Sequence, residues 1–285
     1  SRRQRQMCIR DRSRDEAELR IQKARVLDVG IRSTSGRGGG TDFDQLREYQ
    51  SDDEFRRIDW AATARSQRPI VRTYRAERNQ VVVQLLDNGR VMAGRVDGVA
   101  RVEHAMDAVM MLTAVAGHLG DKAGLVAFDR QVRAVVPPAA GRRQLSPVTD
   151  AMFDLRPSLD ESDYRGAFMH TVARFRRRAM LVLFTDLVEQ AVGESLLPAL
   201  PLIAAHHVVV IAAVQDPDVV RWATETPNDA AATYRQAAAL ATLADRSRAT
   251  ARLRALGATV VDAPPGELAT RLADAYLGVK ATGRL

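Results

Sequence analysis

Cysteine is almost missing from this chain: Cys8 is the single one in 285 residues, so no internal disulfide can close and no cysteine cluster can hold a metal. That usage suits a reducing compartment, and the expectation is a cytoplasmic domain. Aromatic residues make up only 5%, so a core has to be packed from Val, Leu and Ala. Lysine is scarce as well, with Lys23, Lys122 and Lys280 against 39 arginines, a bias that points to a GC-rich bacterial genome and says nothing about function. No run approaches the roughly 18 uncharged apolar residues of a membrane span; Met180 to Phe184 and Val208 to Val214 have the length of strands. A Gly-x-Ser-x-Gly elbow is absent, and Ser162 and Ser195 have no nearby His and Asp arrangement.

The formal charge of +7 invites a nucleic-acid reading. Much of it lies in Arg2-Arg3-Gln4-Arg5-Gln6-Met7-Cys8-Ile9-Arg10-Asp11-Arg12, which resembles the translation of a sequencing adapter; without that stretch the charge falls to +3. Nucleic-acid binding therefore ranks last. Residues 1–12 are expected to be foreign, with the natural chain truncated somewhere before Ser13. Residues 13–40 are expected to form a flexible segment. Its run Ser33-Thr34-Ser35-Gly36-Arg37-Gly38-Gly39-Gly40 lacks the Lys-Ser/Thr ending of a phosphate loop.

What is present is a run of buried-strand segments. Val81-Val82-Val83-Gln84-Leu85-Leu86 is apolar and stops at Asp87-Asn88-Gly89-Arg90, the pattern of the central strand of a parallel sheet. Ligand crevices in such sheets lie beyond the carboxyl ends of the strands, so Asp87 is the first candidate site residue. Downstream, strands alternate with helical stretches. Gly124 to Phe128 and Val132 to Val136 are separated by three residues, short enough for a hairpin, so one edge strand is expected to run antiparallel. Helices are expected over Val102 to Leu119, Leu145 to Leu155, Gly166 to Phe175, Leu196 to Ala205, Ala230 to Leu256 and Leu268 to Val279. Strands Ala179 to Thr185, Val208 to Val214 and Thr259 to Asp262 place Asp186, Asp216 and Asp262 at carboxyl ends beside Asp87. Ahead of the central strand, Thr41-Asp42 and Ser51-Asp52-Asp53 supply capping side chains for two short helices, the first through Phe43, Leu46 and Tyr49. Pro69 to Tyr74 alternates like a strand. Residues 41–78 are thus expected to form a small N-terminal helical subdomain, and 79–285 the main domain.

The segment Gly40-Thr41-Asp42-Phe43-Asp44-Gln45-Leu46-Arg47-Glu48-Tyr49, followed by Asp53, Arg56-Arg57-Ile58-Asp59-Trp60, Thr63-Ala64-Arg65 and Val71-Arg72, resembles the signature of the bacterial domain-of-unknown-function 58 family. With Asp87 and Phe184-Thr185-Asp186 the likeness runs from about Gly36 to the C-terminus. The resemblance implies a Rossmann-like α/β fold of the von Willebrand factor type A kind, with sheet order 3-2-1-4-5-6 and strand three antiparallel. It also implies a non-catalytic, chaperone-like adaptor that acts with a MoxR-type AAA+ ATPase on a client protein, and, because relatives commonly carry membrane-spanning segments ahead of this domain, it allows a membrane anchor in the missing N-terminal region.

Type A domains hold Mg²⁺ with an Asp-x-Ser-x-Ser loop, a Thr from a second loop and a further Asp. Here the first loop reads Asp87-Asn88-Gly89-Arg90-Val91, so both serine positions lack an oxygen, while Ser162 or Asp163 stands near the threonine position and Asp186 matches the last aspartate. The site is degenerate, and three readings follow: an arginine–carboxylate cluster with Arg90 or Arg165 replacing the metal, a weakened Mg²⁺ site on Asp87 and Asp186, or solvated aspartates with no joint role. No cofactor is expected. The pair Asp59-Trp60 is either a partner-facing anchor, since Trp and Arg dominate interface hot spots, or part of a buried subdomain core. The run Arg174-Phe175-Arg176-Arg177-Arg178 is either a solvated helix end or a patch for an acidic partner. A metal-dependent hydrolase or nucleotide-binding enzyme using the same crevice is the alternative function.

Overall fold

The computed structural model describes residues 42–50, 53, 55, 58–75 and 80–281; the adapter-like residues, the 13–40 segment and Arg56-Arg57 lie outside them. In the N-terminal unit, strand β1 (Asp42–Glu48) pairs antiparallel with β2 (Ile70–Arg75), and helix α1 (Trp60–Ser66) lies between them in sequence. The two-helix expectation is corrected here. Apolar residues three apart also suit a strand with an irregular register, and the pairing slips between Phe43 and Gln45. Pairing with β2 overrides the local helical pattern. Helix α1 begins at Trp60 because Asp59 accepts the backbone N–H groups of Ala61 and Ala62, both at 3.0 Å. Asp53 is engaged instead by Arg47 at 2.5 and 2.8 Å.

The main sheet contains β3 (Val81–Asp87), β4 (Lys122–Phe128), β5 (Val132–Ala140), β6 (Met180–Phe184), β7 (Val208–Val214) and β8 (Thr259–Ala263) in the order β8-β7-β6-β3-β4-β5. Counted along the main domain this is 6-5-4-1-2-3, and only the β4–β5 pair is antiparallel. The fold is therefore a mixed α/β domain of von Willebrand factor type A topology. Helices α2 (Arg101–His118), α3 (Leu145–Phe153) and α7 (Pro265–Ala281) pack on one face. The other is covered by α4 (Tyr164–Arg174), a broken helical stretch running from Glu189 to Ala204, and the C-terminal half of α6 (Ala230–Ala255). Helix α5 (Pro217–Thr224), begun by the Asp216 cap and Pro217, was not anticipated from the sequence. No helix among the described residues is long and apolar enough to cross a membrane.

Strand alternation decides what each side chain meets. Val82 and Leu86 join the layer under α2, whereas Val83 and Leu85 join the layer under α4. Gln84 therefore faces α2, where its Nε2 donates to Thr113 Oγ1 at 2.7 Å inside an otherwise apolar layer. Asp87 faces α4. At the opposite end of the sheet Asp121, fully buried, accepts from Gln80 N and from Tyr276 and Lys280 of α7, which ties the last helix to the floor of the sheet. Burial raises the Tyr276 hydroxyl, and the Asp121 carboxylate raises it further.

Thr113→Val removes the acceptor of the Gln84 amide Nε2 and is expected to lower stability by about 1–3 kcal/mol. Gln84→Met combined with Thr113→Val should recover most of that loss, and urea unfolding of the two variants separates the cases.

Candidate functional site

The carboxylate of Asp87 ends the central strand with no exposure to solvent. Oδ1 accepts from Gly89 N at 2.9 Å and Ser162 Oγ at 2.5 Å; Oδ2 accepts from Tyr164 OH and Thr185 Oγ1, both at 2.7 Å. The donors come from three places, each set by local structure. Gly89 belongs to the turn that leaves β3, Ser162 and Tyr164 flank the start of α4, and Thr185 follows β6 on the strand face that meets α4. Tyr164 is held edge-on to Phe128 with ring centroids 5.7 Å apart. Burial drives the Asp87 carboxyl above the usual carboxylate range against the pull of these four bonds, and burial with the Asp87 charge drives the Tyr164 hydroxyl well up.

Gly89 is required by this arrangement. A Cβ on it would lie 2.1 Å from Ser162 Oγ and 3.0 Å from Asp160 O, so the Ser162 hydroxyl fills the space that a side chain at position 89 would take. The loop 156–160 is fixed alongside. Asn88, itself buried, donates from Nδ2 to Arg156 O at 2.6 Å and accepts from Ser158 N at 2.7 Å, and Arg90 N donates to Asp160 O at 2.9 Å.

Asp186 is met by arginines from both faces of the sheet. Arg246 of α6 donates from Nη1 to Asp186 Oδ1 at 2.6 Å, and Arg101 of α2 lies 3.3 Å from Asp186 Oδ2. Arg246 also holds Asp262 Oδ1 at 2.6 Å. Burial works against its charge, yet Asp262 and Asp186 raise its basicity above the ordinary value.

The structure thus brings Asp87, Asn88, Gly89 and Ser162 together, with Asp163 beside them as the cap of α4, accepting from Gly166 N at 2.9 Å. Neither arginine named from the sequence meets these aspartates. Arg90 pairs with Glu161 at 2.9 Å on the exposed rim, because its backbone is tied to Asp160 and its side chain points outward, while Arg165 projects from the first turn of α4. Asp59 caps α1 and pairs with Arg72 at 2.8 Å, which lowers its pKa; Trp60 is 63% exposed and meets Phe55 edge-on at 6.0 Å. Asp216 caps α5. Tyr164, Thr185, Arg101 and Arg246 had no assigned role in the sequence reading. Thr185 and Tyr164 were legible as neighbours of Asp186 and Ser162, whereas the two arginines carry no motif.

These residues do not fit Mg²⁺, which takes near-octahedral oxygen ligands. Gly89 and Val91 bring no side-chain oxygen, each Asp87 oxygen is occupied by two donors, and Asp186 is held by guanidinium groups. Among the described residues no group of three or more His, Cys, Asp or Glu side chains could hold a metal ion. A shallow crevice lies over the Asp87 cluster, lined by Arg90, Val91, Glu161, Ser162 and Tyr164 on one side and by Gln190, Ala191, Glu194 and Ser195 on the other.

Sheet order and strand-end crevice define a type A-like α/β domain. Within that class, the chain belongs to the family described as protein of unknown function DUF58, which it matches over residues 45–253. It is 29% identical over 186 residues to uncharacterized proteins of Mycobacterium bovis and Mycobacterium tuberculosis, covering 63% of this chain and 56% of each relative. The chain therefore spans a little over half the length of those curated relatives. Among solved structures it is similar to the SpRpn10 VWA domain (15% identity, TM-score 0.39, 69% of this chain and 95% of that one). It is also similar to the conserved hypothetical protein BatB from Bacteroides thetaiotaomicron (14% identity, TM-score 0.40, 70% and 98%).

Two outcomes test this geometry. Gly89→Ser is expected to destabilise the fold by about 1–3 kcal/mol through overpacking, and Gly89→Ser with Ser162→Gly, which clears the colliding hydroxyl, should regain most of it in chemical unfolding. The second concerns pH. The raised Asp87 pKa makes the folded state bind its proton more tightly than the unfolded chain. The stability from this site is therefore complete below the ordinary value of 3.8 and falls as pH rises through the folded-state value. Wild type should lose stability relative to Asp87→Asn as pH is raised from about 4, measured as the difference in urea midpoints.

Proposed function

We propose that this chain is a non-catalytic protein-binding domain of the adaptor kind, that the crevice at the strand ends is its contact surface, and that its partners are a MoxR-type AAA+ ATPase and a client protein undergoing maturation. The observation that supports this reading most is how the polar groups are divided. The inward carboxylates are occupied by protein donors, and Ser162, which lines the crevice, donates to Asp87. The groups left at the rim are an exchangeable ion pair, with Arg90 58% and Glu161 77% exposed. Exposed pairs of this kind contribute only about 0–1 kcal/mol, so a partner's charged side chain can replace either half at little cost. The enzyme alternative requires a metal-bound water or an activated nucleophile, and the donor set around Asp87 and Asp186 supports neither.

Purified MoxR-type ATPase from the same genome, titrated with the full chain in ATP and in ADP and followed by calorimetry, tests the reading. A complex in at least one nucleotide state, weakened about tenfold or more by Arg90→Glu, is the expected result. Absence of a complex in both states removes the ATPase as partner, and a complex unaffected by Arg90→Glu removes the crevice as the contact.

A further inference from the structure

Arg246 is 9% exposed and lies in the C-terminal half of a helix whose other buried residues are Ala239, Ala249 and Leu253. An arginine in that setting needs its donors filled, and here they all face the end of the sheet. Nη1 donates to Asp186 Oδ1 at 2.6 Å, Nη2 to Asp262 Oδ1 at 2.6 Å and to Val214 O at 3.3 Å, and Nε to Asp262 Oδ2 at 3.2 Å. One guanidinium thereby spans the carboxyl ends of three adjacent strands, β6, β7 and β8. Without a cation, two carboxylates brought this close to one group would repel, and the buried one would be driven toward protonation. Arg101 completes the arrangement from the opposite face of the sheet, 3.3 Å from Asp186 Oδ2.

We infer that Arg246 is a built-in cation that stands between Asp186 and Asp262 where a divalent ion would otherwise be needed, and that removing it uncovers a latent ion site between these two carboxylates. The strand-end geometry is then set by the chain itself and is independent of divalent ion concentration. A planar fork suits this task because its donors meet two carboxylates in fixed directions, whereas an ammonium group supplies the same charge without that directionality.

The full chain with Arg246→Ala, with Arg246→Ala/Asp262→Asn and with Arg246→Lys, each in EDTA and in about 5 mM MnCl₂, tests the inference by thermal unfolding and by electron paramagnetic resonance of bound Mn²⁺. Wild type is expected to unfold at the same temperature in both solutions and to bind no Mn²⁺. Arg246→Ala should unfold about 10 °C lower in EDTA, as expected when one half of a buried pair is removed. It should regain several degrees in Mn²⁺ with a single ion bound, and Asp262→Asn should abolish that recovery. Wild type stabilised by Mn²⁺ as much as the alanine variant overturns the inference, as does recovery that survives Asp262→Asn. If Arg246→Ala does not fold, Arg246→Lys decides: with a cation retained it should fold and bind no Mn²⁺, and Mn²⁺ binding by the lysine variant overturns the inference.

Discussion

A carboxylate at the end of a strand buried on both faces must be met by donors that the chain itself provides, and the strand-end region of this domain is arranged to meet that demand at Asp87. Leaving such a group unpaired costs several kcal/mol. Four donors are therefore drawn from the turn after β3, the start of α4 and the residue after β6. Each of them constrains something further away. Ser162 can reach Asp87 only because Gly89 has no side chain. Tyr164 can donate only because α4 starts where Asp163 caps it and where Phe128 supports the ring. The loop between α3 and α4 is held at the correct height by Asn88 and by the backbone of Arg90.

The second carboxylate is handled by opposite means. Asp87 receives neutral hydroxyls and a backbone N–H, whereas Asp186 receives two guanidinium groups, one from each side of the sheet. The difference follows from strand parity. Thr185 and Asp87 point toward the layer under α4, which supplies Tyr and Ser, while Asp186 points toward the side from which α2 brings Arg101. Arg246 reaches the same carboxylate from α6. The Asp186 cluster therefore joins helices of both layers through one side chain, and docking of either helix reinforces that of the other.

Most of the main domain was legible because its signals are long and redundant. The seven-residue runs of β3 and β7, the three-residue link before β5 and the carboxylates after β3 and β6 each point to the same parallel sheet. In the N-terminal unit the alternation from Pro69 to Tyr74 marked the second strand, and the first was misread as a helix because its signal is short. The spacing of Phe43, Leu46 and Tyr49 suits a helix or an irregular strand, and only pairing with β2, more than twenty residues later, selects the strand. At the site, the aspartates could be named from their place at strand ends, and Ser162 or Asp163 only from the likeness to type A domains. The cation could not, because Arg246 sits in a long helix among other arginines and reaches Asp186 across sixty residues of sequence. Arg90 is adjacent to Asp87 in sequence, yet it faces outward because its backbone N–H is committed to Asp160.

The same division of labour bears on what the crevice can do. A fold of this kind hosts many activities, so the argument has to rest on the groups in place. Ser162, Tyr164 and Thr185 spend their hydrogens on one buried carboxylate, and Asp186 and Asp262 are held by Arg246. On the facing wall the helical stretch widens by a π-turn at Val192–Leu196, and Glu194 and Ser195 of that turn line the crevice opposite Arg90 and Glu161. Such local widening is frequent at functional sites. A rigid, internally neutralised floor beneath an exposed and exchangeable rim is suited to recognising the surface of another protein, since the floor fixes position and the rim can trade its ion pairs for those of a partner.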